Sequence, residues 1–180
     1  GYFIPKNDEF FNEYIPENKD KLKFISNFSG SYGFALILKD KNYLFVDGRY
    51  TLQAKIQSGK EFNIITIPKN LPTDILKNKK ILIGFDPKLH TEIMLNRFFK
   101  KCKCKLIPIN ENLISKIWKK KNILDLNKFY KLSDKASGET SKNKCKTLIK
   151  LLNKNRLNLQ FITASENVAW VLNLRGKDSE

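Results

Sequence analysis

Residues 43–53, Tyr-Leu-Phe-Val-Asp-Gly-Arg-Tyr-Thr-Leu-Gln, decide the fold: an apolar strand breaks at Asp47-Gly48 and passes directly into an amphipathic helix. The junction puts Arg49 at a strand end, where a guanidinium can meet a carboxylate or a peptide carbonyl through two parallel hydrogen bonds. Upstream, Asn27-Phe-Ser-Gly-Ser-Tyr-Gly-Phe-Ala-Leu-Ile-Leu38 is a Gly/Ser turn feeding another strand, and only Lys39-Asp-Lys-Asn42 separates the two. So short a connection makes the strands antiparallel neighbours, and their continuous apolar runs suit burial on both faces.

The alternation continues outward. Tyr2 to Ile4 reads as a short strand ended by Pro5, and Asn18 to Phe28 as a helix with Leu22 and Ile25 at helical spacing. Thr51 to Ser58 reads as a helix with Leu52 and Ile56 on one side and Gly59 at its end. Strands are expected at Asn63–Ile67, Lys80–Phe85 and Lys105–Ile109, with helices at Leu71–Leu76 and Thr91–Lys101. That order gives an α/β domain, a mixed β-sheet flanked by helices. Lys119 to Leu132 is basic and poorly periodic, so the expected organisation is a domain at 1–121, a linker at 122–132 and an incomplete second domain at 133–180. In the last segment, Lys142 to Asn155 carries a helical stripe of Cys145, Leu148, Ile149 and Leu152. Asn158 to Thr163 reads as a strand, and Ser165 as the cap of a helix running to Asn173 with Glu166 in its first turn. This helix-strand-helix is expected to leave Leu148, Leu152, Phe161 and Trp170 incompletely covered.

Composition bounds the partners. The chain has 180 residues, 41% of them hydrophobic, and no apolar run approaches the roughly 20 residues that span a bilayer, so no membrane partner is expected and cytoplasmic is the default. The formal charge of +16 suggests nucleic acid, but only Arg49, Arg97, Arg156 and Arg175 among 34 basic residues carry the forked guanidinium that base readers favour. The lysines are spread along the chain, and a solvated surface rather than a specific nucleic-acid site is the reading. Cys102-Lys-Cys104 is too tight for a C-x₂-C zinc knuckle and has no second pair, so reduced structural thiols are expected there and at Cys145. His90 has no Cys or Ser partner and falls near a helix start. The Gly30-Ser-Tyr-Gly33 turn lacks the Lys-Ser/Thr of a phosphate loop and leads into a strand. Most Phe and Trp residues fall at strand or helix spacing and are assigned to the core.

Four segments in order carry a family resemblance: the turn-strand-hairpin-strand-Asp-Gly-Arg-Tyr-helix run, Tyr2-Phe-Ile-Pro-Lys-Asn-Asp-Glu-Phe-Phe-Asn-Glu-Tyr14, Leu106-Ile-Pro-Ile-Asn-Glu-Asn-Leu-Ile-Ser-Lys-Ile-Trp118, and Ser165-Glu-Asn-Val-Ala-Trp-Val-Leu-Asn-Leu-Arg-Gly176. Together they resemble the amino-terminal domain of aminopeptidase P, in the creatinase and prolidase family, and specifically its three-domain branch. The resemblance implies a six-stranded, ribonuclease-H-like domain lacking its first helix, followed by the opening of a second similar domain. It also implies that hydrolysis belongs to a carboxy-terminal "pita-bread" domain whose two Asp, one His and two Glu hold two divalent metals, normally manganese. Nothing here maps onto those ligands, so neither catalytic nor metal residues are expected in this chain. With Gly1 in place of an initiator Met and an end just past Arg175-Gly176, the expectation is an internal fragment, inactive alone.

The parent implied is a metallo-aminopeptidase that releases the residue preceding proline from peptides, and it is expected to be a homodimer. By the same resemblance Arg49 contacts the peptide substrate; read from residues alone, it instead fixes its own loop through Asp47 or Glu13. Glu13 is a second candidate, supporting Arg49 or a subunit contact, and Arg175 a third, shaping the site entry or ending a helix. Asp47 and Gly48 read structurally, Asp47 as a helix cap and Gly48 as a turn residue others would resist. The competing functions are a non-catalytic interaction module of the same fold and a basic nucleic-acid-binding domain.

Overall fold

The strand that ends in Asp47 belongs to a six-stranded mixed sheet. The computed structural model describes residues 1–12, 14–118 and 128–176, and divides into two compact units, Gly1–Asn122 and Ile123–Glu180. In the first unit β2 (Gly33–Ile37) pairs antiparallel with β1 (Tyr2–Pro5) on one side and with β3 (Asn42–Asp47) on the other. Then β4 (Asn63–Ile67) joins β3 in parallel, β5 (Leu82–Phe85) joins β1 in parallel, and β6 (Lys105–Pro108) joins β5, giving the order β4-β3-β2-β1-β5-β6. The hairpin expected from the short 39–42 connection is the β2–β3 pair, with Phe34 opposite Phe45.

Side chains of a strand alternate between faces, and the three central strands use that alternation to fill two cores. Tyr2, Ile4, Ala35, Leu44 and Val46 enter one, and Phe3, Phe34, Leu36 and Phe45 the other. The first is covered by α1 (Lys21–Ser26) and α2 (Thr51–Ser58), through Leu22 and Ala54. The second is covered by α3 (Pro72–Leu76) and α4 (Glu92–Phe99), through Leu76, Phe98 and Phe99. Phe34 stacks on Phe45 at 4.8 Å and meets Phe3 edge-on at 5.3 Å, the offset and T-shaped geometries that aromatic quadrupoles favour. Helix α5 (Leu113–Ile117), which the sequence reading did not place, closes the unit and contributes Ile114 to the first core.

Helix α2 is where the amphipathic reading is corrected. Leu52 and Ile56 are 72% and 78% exposed, and the inward face is Ala54 and Ser58. Small residues let the helix lie close to the sheet, and Ser58 Oγ donates to the Ser26 carbonyl at 2.6 Å, tying α2 to the end of α1.

The second unit comprises β7 (Tyr130–Lys131), α6 (Asp134–Ser137), α7 (Ser141–Lys154), α8 (Ser165–Leu172) and β8 (Leu174–Arg175). Three expectations are corrected here. Asn158–Thr163 forms no strand among the described residues; its side chains are mostly exposed, Phe161 to 85%, and an extended segment with no neighbouring strand has no ladder to join. Tyr130–Lys131, read as linker, pairs antiparallel with Leu174–Arg175. Ser165 is the first helical residue of α8, and Ala164 occupies the cap without a side-chain hydrogen bond. The expected incomplete covering is observed: Phe161 and Trp170 are exposed, Leu148 and Leu152 only partly buried. The aromatic assignment holds for Phe3, Phe28, Phe34, Phe45, Phe62, Phe85, Phe98 and Phe99, but not for Phe10, Phe129 or Phe161, which are exposed.

The buried residue of α7 is Lys144, at 3% exposure. Its ammonium donates to Trp170 O at 2.8 Å and Asn173 Oδ1 at 2.7 Å and lies 4.2 Å from the centre of the Trp170 ring. These acceptors sit at the C-terminus of α8, the negative end of its dipole, so the cation is placed where it is most favourable. Asn173, left-handed at φ 53°, ends α8 and donates from Nδ2 to Glu139 O and Ser137 Oγ. The sequence signal was a charge within an otherwise apolar stripe at helical spacing.

Candidate functional site

Because β1 and β3 both run opposite to β2, the loops leaving β1 and β3 and the turn entering β2 meet at one edge of the sheet. Asp47, the last residue of β3, caps the single 3-10 turn Gly48–Tyr50, its Oδ1 accepting the Arg49 N–H at 2.9 Å. The same carboxylate takes Arg49 Nη2 at 2.6 Å and Nε at 3.2 Å, so the guanidinium is clamped side-on by a residue two positions away. Hydrogen bonding from Arg49 is the main reason that the Asp47 carboxyl is held below the usual carboxylate range. Of the two partners the Arg49 side chain is the exposed one, at 74%. Asp47 thus acts as the cap expected of it. Gly48 does not have the role expected: its φ is not positive, and a Cβ there would meet nothing within 4 Å.

The demanding glycines lie across the cleft. A Cβ on Gly30 would come within 2.3 Å of the Phe28 ring, and one on Gly33 within 2.9 Å of the Phe45 carbonyl. Only glycine lets the turn approach this closely, and the turn then leads into β2, as the sequence indicated. Tyr50 follows Arg49 and joins the two sides: its hydroxyl is 2.8 Å from Ser31 Oγ, its ring stands edge-on to Phe28, and the Arg49 guanidinium lies 5.3 Å from its centre.

Between these walls is a cleft of about 310 Å³, lined by Lys6, Asn7, Phe11 and Asn12 from the loop after β1, Ser31 and Tyr32 from the turn, and Arg49. The loop is fixed at several points. Lys6 makes a buried ion pair with Asp20, the N-cap of α1, and its N–H donates to Gly33 O. Asn7 Nδ2 donates to Leu89 O at 3.3 Å. Phe11 is held at φ 57°, a conformation costly for a bulky side chain and one that persists only where the surroundings enforce it. The cleft therefore offers two partly exposed aromatic rings, Phe11 and Tyr32, amide and hydroxyl groups, and one clamped guanidinium. It can position a peptide-like ligand through a carbonyl or carboxylate and an apolar contact. Arg49, singled out from the sequence, lines this cleft together with Phe11, Tyr32 and Asn7, which were not singled out and whose convergence depends on the strand order.

Glu13, the second candidate, lies outside the described residues. Arg175, the third, lies in β8, its Nη1 donating to Leu174 O at 2.7 Å; the residue that ends α8 is Asn173. His90 sits just before α4 as expected, but is buried against Phe3 and Phe85. Nδ1 donates to Asp86 O at 2.8 Å, whereas Nε2 has no hydrogen-bond partner, and burial lowers the ring's pKa. Cys102, Cys104 and Cys145 are free and partly buried. Among the described residues no three His, Cys, Asp or Glu side chains are grouped to hold a metal.

This fold and this edge define the class. The family model of the creatinase/prolidase N-terminal domain matches residues 11–117, and a second model of that description matches 119–180; the chain belongs to this family. It is similar to probable Xaa-Pro aminopeptidases P from Laccaria bicolor (35% identity over 100% of this chain and 30% of that protein) and Coprinopsis cinerea (32%, over 98% and 30%). It also superposes on the crystal structure of an X-prolyl aminopeptidase from Caenorhabditis elegans, described as a cytosolic enzyme with a di-nuclear active site, with a TM-score of 0.85 and 26% identity over 99% of this chain and 31% of that one. The chain thus spans about a third of the length of the relatives it matches.

Proposed function

We propose that this chain is the amino-terminal portion of a metal-dependent Xaa-Pro aminopeptidase, which removes the residue preceding proline from peptides, and that this portion shapes the substrate site without performing the chemistry. Similarity to Xaa-Pro aminopeptidases along almost the whole chain supports the class. The observation that carries the local role is the clamped, outward Arg49 beside the Phe11–Tyr32 cleft. In this reading residues 1–121 are one domain, 133–180 open a second, and two divalent metals, manganese by preference, lie in a catalytic domain outside the chain. The protein is cytoplasmic and dimeric, with Arg49 orienting the bound peptide, Glu13 supporting it and Arg175 shaping the entry from the second domain.

The test uses the protein at the length of its relatives, assayed with manganese on an Xaa-Pro-Pro peptide. Loss of charge-assisted hydrogen bonds of ~1.5–3 kcal/mol predicts that Arg49→Ala lowers kcat/KM by roughly 10- to 100-fold with metal content unchanged. The 180-residue chain alone is expected to show no turnover. An Arg49→Ala enzyme as active as the parent would leave the guanidinium as a loop fastener only, and a metal-loaded but inactive parent would point to the interaction module.

A further inference from the structure

Strands β3, β4, β5 and β6 run with β1 and against β2, so the segments entering β4, β5 and β6 and the hairpin between β2 and β3 all lie at the end of the sheet opposite the cleft. Residues 59–61, 77–80, 100–104 and 39–41 form these segments, and they hold nine lysines, all exposed, against two carboxylates, Asp40 and Glu61. The cleft end reverses the balance. Its loops carry seven carboxylates and five basic side chains among the described residues, and Lys6, Lys19 and Arg49 are ion-paired with carboxylates of that same end. None of the nine lysines at the opposite end is ion-paired. A general excess of lysine would charge both ends alike, whereas strand order here sorts the charge by end. The row is also fixed: Lys105 N–H donates to Ile81 O at 3.0 Å, Asn42 Nδ2 to Glu61 O at 3.3 Å, and Leu38 N–H closes the hairpin on Lys41 O at 3.0 Å.

We propose that this row of lysines binds the phosphate backbone of a nucleic-acid duplex, independently of base sequence and of the peptidase reading. The four segments contain no arginine, whose fork reads base edges, and no aromatic ring on which an unpaired base would stack. They offer positive charge at fixed positions, and charge density selects the partner. A duplex carries about one negative charge per 1.7 Å of axis, an extended acidic peptide at most about one per 3.3 Å. Six strands make the row about 24 Å long, so a duplex presents it with about twice the charge that a peptide does, and each phosphate neutralised releases a counterion. A bilayer is the poorer fit, since the row is one sheet thick and its segments have no exposed apolar side chain to insert. The carboxylates at the cleft end repel the same partner, which orients it toward the lysines and leaves the cleft open.

Lys142, Lys146 and Lys150, exposed on α7, supply a control of equal charge. Binding of the intact protein to a fluorescent mixed-sequence duplex, RNA or DNA, is followed by anisotropy at graded salt. Replacing Lys77→Glu, Lys79→Glu and Lys80→Glu together is expected to weaken binding at 0.1 M salt by about tenfold or more and to flatten the slope of log K against log salt by about three. Lys142→Glu, Lys146→Glu and Lys150→Glu together change the net charge equally and should leave the slope in place. The wild type gives a reading that needs no variant to fold: bound duplex should protect Lys77–Lys80 and Lys100–Lys103 from amine acetylation, read by peptide mass spectrometry, while Lys142, Lys146 and Lys150 react as before. Equal weakening by the two triple variants, uniform protection of all lysines, no binding at 0.1 M salt, or tighter binding to phosphatidylserine vesicles than to duplex would each overturn the proposal.

Discussion

The two units of this chain are held together by opposite means. Every buried hydrophobic side chain among the described residues belongs to the first unit, whereas the buried side chains of the second are Lys144 and Asn173. The first unit is stabilised by apolar area removed from water on both faces of one sheet. The second is stabilised by a cation and an amide satisfying the ends of helices, while Ile149, Phe161 and Trp170 stay exposed. The same amino-acid vocabulary produces a closed core in one place and a polar knot in the other, because one has a sheet to cover and the other only a two-residue pair of strands.

That contrast breaks most visibly at Phe34. It packs against Phe3, Phe45 and Phe98, and Phe34→Ala is expected to cost ~3–5 kcal/mol of unfolding free energy, measured by urea denaturation with a probe in the first unit. A loss under about 1 kcal/mol would mean the aromatic core is not the source of stability. Next in size is Lys144→Ala, which removes two charge-assisted hydrogen bonds and is expected to cost ~1.5–3 kcal/mol, seen as faster amide exchange in α7 and α8 with the sheet unaffected. Slowed or unchanged exchange would show that the exposed apolar residues, not the knot, order this unit.

These differences track what the sequence made legible. All six strands of the sheet were placed to within about two residues; the three central ones, buried on both faces, read as continuous apolar runs between turn signals. The second unit was less legible: Asn158–Thr163 has the composition of a strand, but strand formation depends on a partner that composition does not supply. Leu52 and Ile56 misled for a related reason, since periodicity reports which residues share a face and not which face meets the sheet. At the site, Arg49 was legible from its junction, whereas the clamp by Asp47 was one of two partners considered, and the cleft with Phe11 and Tyr32 required the fold.

The smallest effect expected is at His90, a polar group enclosed by the first unit's aromatic residues. Burial lowers its folded pKa below the ordinary 6.5, so the folded state binds fewer protons than the unfolded one. Its contribution is therefore complete above the ordinary histidine value and is lost as pH falls below it toward the folded value, by at most ~1.4 kcal/mol per pH unit. Denaturation midpoints from pH 7.5 down to 5 should fall more steeply for the parent than for His90→Phe; parallel profiles would assign the acid sensitivity to other groups.

The open ends of the sheet carry one more consequence. β4 and β6 each present a row of backbone donors and acceptors on the side facing away from the sheet, a template on which another extended chain could grow. Both strands are only four or five residues long; β6 begins at exposed Lys105 and ends at Pro108, which has no N–H to give, and β4 is followed at once by Pro68 and exposed Lys69. Short, lysine-flanked and proline-stopped borders deny purchase to cross-molecule pairing. Lys69 and Lys105, part of a positive charge that first suggests a ligand, serve here to keep one sheet from adding to the next.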